Sequence, residues 1–189
     1  PANDECVDAI RVLTGQAYIG RTTAAGGTDV TSCGQNDFKD VWHYWTADCT
    51  GEVAVTTCGS DLDFDTTLAA FTQCGEVAFR CDDDGCPLPT SLGQSRVVFN
   101  SVGGQTYYFR VAGHQGDSGQ YSLTVEPCKN ACCVSSGGCT LRSGPSCLTI
   151  PEARPLGDGT RCLGDSDSDG TDGACETCPN ATIQFASPL

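Results

Sequence analysis

Fifteen cysteines in a chain of 189 residues constrain this sequence more than any other feature. That density belongs to disulfide scaffolds and conflicts with a reducing cytosol, where thiols stay reduced. Thiolate metal sites are the competing use of cysteine, and they need paired knuckles. The chain holds a single CxxC, Cys175-Glu176-Thr177-Cys178, and scatters its other cysteines through Gly-, Ser- and Asp-rich loops. The expectation is a secreted or cell-surface protein stapled by disulfides. Cys74 and Cys81 flank a short two-strand segment and form the first expected pair, with Cys58 and Cys86 the second. Seven cysteines precede residue 127 and eight follow, so at least one thiol lacks an intrachain partner and is free or joins two chains.

Charge narrows the partners. Ten basic residues face 24 acidic ones, a formal net charge of −14, and lysine occurs only at Lys39 and Lys129. Such a surface repels phosphate backbones and anionic membranes, which argues against nucleic acid. It attracts hard cations, calcium (Ca2+) above all outside cells. The chain has no methionine and begins at Pro1, so it reads as a mature chain whose signal peptide has been removed. No apolar run approaches the roughly 18–20 residues of a transmembrane helix, and no transmembrane segment is expected.

Up to Glu126 the pattern is β. Glu52–Thr57, Arg96–Asn100, Tyr107–Val111 and Tyr121–Val125 alternate at period two, and turn residues separate them. Ala17–Thr22, Val41–Thr46, Thr67–Phe71 and Val77–Arg80 are further strand candidates. Eight or nine such strands predict an all-β fold, an antiparallel jelly-roll-like β-sandwich over residues 1–126. Residues 127–189 have few apolar side chains and no strand pattern except near Thr182–Phe185, in a possible terminal strand over 182–186. A segment like this cannot bury a core and is expected to be an irregular, disulfide-rich, calcium-binding tail.

Several motifs occur in a telling order. Asn3-Asp4-Glu5-Cys6 opens the chain, then come Asp40-Val41-Trp42-His43-Tyr44-Trp45 and Phe64-Asp65-Thr66-Thr67-Leu68. Asp82-Asp83-Asp84-Gly85-Cys86, Thr106-Tyr107-Tyr108-Phe109-Arg110-Val111 and Gly119-Gln120-Tyr121-Ser122-Leu123 complete the series. In this order they resemble the bacterial pre-peptidase C-terminal (PPC) domain over about two thirds of the chain. The resemblance implies a non-catalytic β-sandwich of secreted or surface proteins, some of which bind calcium. In the tail, Ala131-Cys132-Cys133 through Cys162 resembles a small cysteine motif found beside such domains. Residues 165–180, with Cys178-Pro179-Asn180, resemble a thrombospondin type 3 calcium repeat.

The strongest cation motif is Asp165-Ser166-Asp167-Ser168-Asp169-Gly170. Carboxylates at loop positions 1, 3 and 5 converge on one ion, with the Thr171 carbonyl at position 7 and Glu176 at position 12. No amphipathic helices flank it, so the expected site is an EF-like loop over 165–176. Asp172 is an alternative to Glu176, as the type 3 resemblance implies. A possible second metal site draws on Asp63, Asp65, Asp83 and Asp84; the competing role of Asp65 and Asp83 is to cap turn amides.

Gly116-Asp117-Ser118-Gly119 spells the segment around a chymotrypsin-like nucleophile, but such a serine needs a histidine oriented by a carboxylate. The two histidines sit elsewhere: His43 inside an aromatic run, His114 in the same turn as Ser118. The segment reads as a hairpin turn, and no catalytic residue is expected. Half of each aromatic run Trp42–Trp45 and Tyr107–Phe109 is expected in the core, the remainder being available to a glycan. The leading functional expectation is a non-catalytic, calcium-binding structural or adhesive protein, a subunit of an extracellular filament, sheath or surface layer. It would associate with itself or with another extracellular structural protein. The alternative is a ligand-binding accessory module of a secreted hydrolase, with a carbohydrate or protein partner.

Overall fold

In the computed structural model, which describes residues 1–29, 31–34, 36–59, 64–87, 93–162 and 175, the alternating runs become strands of two sheets. The chain divides into two units, Pro1–Cys128 and Lys129–Leu189. The division falls after Cys128 rather than after Glu126, because Cys128 is bridged to Cys49 in the first unit.

The first unit contains β1 (Ile10–Arg11), β2 (Ala17–Arg21), β3 (Val41–Thr46), β4 (Gly51–Thr56) and β5 (Thr66–Phe71). These are followed by β6 (Arg80–Asp82), β7 (Arg96–Ser101), β8 (Thr106–Gly113) and β9 (Gln120–Val125). One sheet has the order β1-β3-β8-β5-β6 and the other β2-β9-β4-β7. Pairing is antiparallel throughout except between β1 and β3. The strand expected over Val77–Arg80 runs instead over Arg80–Asp82, opposite Leu68–Ala70. Val77 has no layer to pack on and stays exposed.

Alternation sends Val41, Trp45, Leu68, Ala70, Tyr107, Phe109 and Val111 inward from the first sheet. They meet Val53, Val55, Val97, Phe99, Tyr121, Leu123 and Val125 from the second, which makes the unit a β-sandwich. Each large side chain so buried contributes about 1.5–3 kcal/mol, so this core carries most of the unit's stability. His43 shares the inward face, its Nε2 2.7 Å from the Tyr121 hydroxyl. Burial disfavours the charged imidazole and lowers its pKa to about 4.

The opposite face of the five-stranded sheet is also covered. Trp42, Ala69 and Phe71 pack there with Cys6, Ala9, Ala78, Cys81 and Tyr108, so the aromatic runs are split between two layers. Arg110 lies on this face at 1% exposure, Nη1 2.8 Å from Asp37 and Nε 3.1 Å from Asp40. Burial raises the Asp40 pKa, and the Arg110 guanidinium opposes that shift. The bridges Cys6–Cys74 and Cys33–Cys81 tie the N-terminal segment and the loop before β3 to the β5–β6 hairpin. The expected Cys74–Cys81 pair is therefore wrong. Cys81 stands within the ladder opposite Ala69, whereas Cys74 lies in the connection beyond the ladder's end, and each is taken by a covering segment. Cys58 and Cys86 are bridged to each other.

In the second unit, β10 (Asn130–Cys133) pairs with both β11 (Cys139–Arg142) and β12 (Arg154–Pro155), and Gly144–Cys147 forms one helical turn. The expectation of no strand pattern in this stretch is corrected. These strands alternate no apolar residues; they are held by backbone ladders and by Cys132–Cys147, Cys133–Cys175 and Cys139–Cys162. Among the described residues its buried interior consists largely of cysteines with Ala131. Asp165, Asp167, Asp169, Thr171, Asp172 and Glu176 of the expected calcium loop, and the expected strand 182–186, lie outside the described residues. Among the described residues no helix is long and apolar enough to cross a membrane.

Candidate cation site

Three neighbouring strands of the five-stranded sheet end together. The register pairs Thr66 with Gly113, so Asp65, just before β5, stands beside His114, just after β8. The His114 N–H donates to the Asp65 carbonyl at 3.0 Å. On the other side of β5, Leu68 pairs with Asp82, which brings Asp83 out of β6 at the same end. Residues far apart in sequence become neighbours because β5 lies between β8 and β6.

The surroundings hold these groups in place. The Asp82 carboxylate accepts from the Gly85 and Arg96 amides, each at 2.7 Å, and closes the turn that presents Asp83. Ser95 Oγ lies 3.0 Å from the Asp83 carbonyl and 3.2 Å from Thr66 Oγ1. Thr66 Oγ1 is 2.6 Å from Thr57 Oγ1, which accepts from the Ser95 amide at 2.9 Å. Thr57, Thr66 and Ser95 are buried, and the Cys58–Cys86 bridge closes over the same region. Gly93 is required on two counts. Its φ of +87° favours glycine, and a Cβ there would lie 2.5 Å from the Asp65 carboxylate.

Asp65, Asp83 and His114 each offer one ligand atom, and these atoms all lie within 4.8 Å of one another. His114 Nδ1 is 2.8 Å from Asp83 Oδ2. Asp65 Oδ1 and Asp83 Oδ1 are buried and accept no hydrogen bond. Burial raises the Asp65 pKa to about 6, with Asp83, Asp84 and Asp117 adding repulsion and His114 opposing it. Burial also raises Asp83, against the pull of His114. Such a cluster can take up a proton or one cation. The turn-capping role open to Asp65 and Asp83 falls instead to Asp82.

Of the second acidic set read from the sequence, the structure joins Asp65 and Asp83. Asp84 is exposed and supplies charge alone, and Asp63 lies outside the described residues. His114 was not foreseen as a partner. Its only signal was its place directly after a strand, which names no neighbour until the register is known. Among the described residues neither histidine is hydrogen-bonded to Ser118, whose Oγ accepts from Lys39 Nζ at 3.5 Å.

A second feature is a cavity of about 390 Å³ on the outer face of the five-stranded sheet. Trp42 and Phe71, ring centroids 4.9 Å apart, line it together with Glu5, Asp29, Glu76 and Arg110.

No protein-family model matches the sequence, and no curated protein matches it. Among solved structures, the chain is similar to the pre-peptidase C-terminal domain of collagenase from Bacillus anthracis, with 12% identity and a TM-score of 0.42, over 62% of this chain and 93% of that one.

Proposed function

We propose that this chain is a non-catalytic extracellular structural or adhesive protein, a jelly-roll-like PPC-type sandwich followed by a calcium-carrying tail, and that it assembles with copies of itself. The observation that supports this reading most directly is the disulfide inventory. Among the described residues every cysteine is bridged within the chain, and the fifteenth, Cys178, lies outside them. Such a network persists only in an oxidising compartment. Calcium in the 165–176 loop would order the tail, and strand 182–186 would add to a sheet edge of a neighbour. A contact repeated head to tail without closing yields a filament. The test is the size of native material under non-reducing conditions, with the Cys178→Ser variant and a chain lacking residues 181–189 alongside. Assemblies that survive in neither variant support the reading; wild-type protein that stays monomeric in calcium removes it.

The cavity over Trp42 and Phe71 favours a second reading, a binding module. Both rings are mostly covered, so they offer little face to a sugar, whereas Glu5, Asp29 and Glu76 beside Arg110 in the lining suit a polar, charged segment of a protein ligand.

A further inference from the structure

We propose that Asp65, Asp83 and His114 form a divalent-cation site in the sandwich that selects a borderline transition cation such as zinc over calcium. This site is independent of the tail loop and of self-association, and it stands or falls without them.

Donor chemistry is the first argument. Calcium takes oxygen ligands, six to eight of them, whereas imidazole nitrogen suits zinc and its transition-metal neighbours. The cluster offers two carboxylates and one imidazole nitrogen, all within 4.8 Å of one another. Donors on one ion with bonds of about 2.0–2.2 Å lie about 3–4 Å apart, so small side-chain rotations gather these three around it. Calcium would lose the contribution of His114 and find only two carboxylates, while zinc uses all three donors.

The second argument is unmet demand. Asp65 Oδ1 and Asp83 Oδ1 are buried and accept no hydrogen bond. A buried acceptor without a partner is costly, and such atoms in a folded protein call for an explanation. Turn capping is not that explanation, because the Asp82 carboxylate already takes the Gly85 and Arg96 amides. His114 Nδ1 lies 2.8 Å from Asp83 Oδ2 yet makes no well-formed hydrogen bond, so an imidazole nitrogen and two carboxylate oxygens are all left without partners at one place. A dication would satisfy both carboxylates and neutralise their mutual repulsion, to which Asp84 and Asp117 add.

Rigidity is the third. Strand register, the Thr57–Thr66–Ser95 hydroxyl network and the Cys58–Cys86 bridge fix the backbone of the three ligands before any ion arrives. A site held this way discriminates by donor type, since one of its three fixed donors is an imidazole nitrogen, which suits zinc better than calcium.

The composition of the chain supplies a direct test. It has two histidines, and the other, His43, is buried in the core against Tyr121. Full-length protein labelled with 15N in its imidazoles is stripped of metal, then titrated with zinc, and separately with calcium. Zinc is expected to shift the ring nitrogens of His114 at one equivalent and to leave those of His43 in place. A hundredfold excess of calcium is expected neither to reproduce the shift nor to displace the zinc. In His114→Gln and Asp65→Asn, zinc affinity read by calorimetry is expected to fall at least tenfold at one site, whatever the tail binds. Zinc that leaves the His114 signals unmoved overturns the proposal. So does calcium that competes at equal concentration, which would make this an ordinary oxygen site.

Discussion

The two units of this chain are stable for different reasons. The sandwich buries a two-sheet apolar core, and its four bridges lie around it, tying the N-terminal segment, loops and Cys128 to the sheets. Among its described residues the tail buries mainly its own cysteines, so three bridges stand where a core would be. One unit is a packed protein reinforced by staples. The other is a set of staples with short ladders between them. Hydrophobic stabilisation scales with buried apolar area, and a segment this short and polar cannot supply it.

The largest expected effect follows directly. Full reduction should unfold the tail while the sandwich keeps its sheet structure. The tail loops close over 15, 42 and 23 residues, and each bridge is worth about 3 kcal/mol in the chain-entropy account. Limited proteolysis with and without reductant reads this out. Cleavage confined to residues beyond 128 sharpens the contrast, and simultaneous loss of both units breaks it.

Leu68→Ala probes the converse. Leu68 is fully buried between the sheets, and its truncation should cost the sandwich about 4 kcal/mol through lost contacts and a cavity. Denaturant unfolding of the first unit should shift accordingly. Hydrogen exchange at Ala131–Cys133 should stay unchanged; if tail protection falls in step, the two units share one cooperative transition.

A smaller effect depends on pH. His43 has its pKa lowered from the usual histidine value to about 4 by burial. Its contribution is fully present above pH 6.5 and is lost as pH falls through 6.5 toward 4, because the unfolded chain takes up the proton first. The loss is about 3 kcal/mol across that window. Asp65, raised to about 6, acts in the opposite sense, so the measurement is the stability difference between wild type and His43→Gln at each pH. A difference that does not change between pH 7 and pH 4 contradicts the assignment. The tail should be indifferent to the exchange.

Much of the sandwich was legible in the linear text. Period-two alternation located most of its strands and divided the aromatic runs, so that Trp45, Tyr107 and Phe109 face the core while Trp42 and Tyr108 face outward. That information is local, because each side chain's face follows from its position along its own strand. The tail ladders were illegible for the same reason: Asn130–Cys133 and Cys139–Arg142 carry no alternation to detect. The bridges of Cys74 and Cys81 were misassigned because sequence proximity stood in for spatial proximity.

By itself, then, the sequence determined that this would be an oxidised, acidic, all-β protein with a sandwich ahead of a cysteine-held tail. Composition and alternation are properties of each segment alone, and they suffice for that much. Only the tertiary structure decided which strands lie side by side. With β5 placed between β8 and β6, Asp65 meets Asp83 and His114, Arg110 is closed in by Asp37 and Asp40, and Cys6 reaches Cys74. Those meetings depend on pairing order and register. Both are set by how the whole apolar surface is buried at once, a cooperative choice that no single segment records.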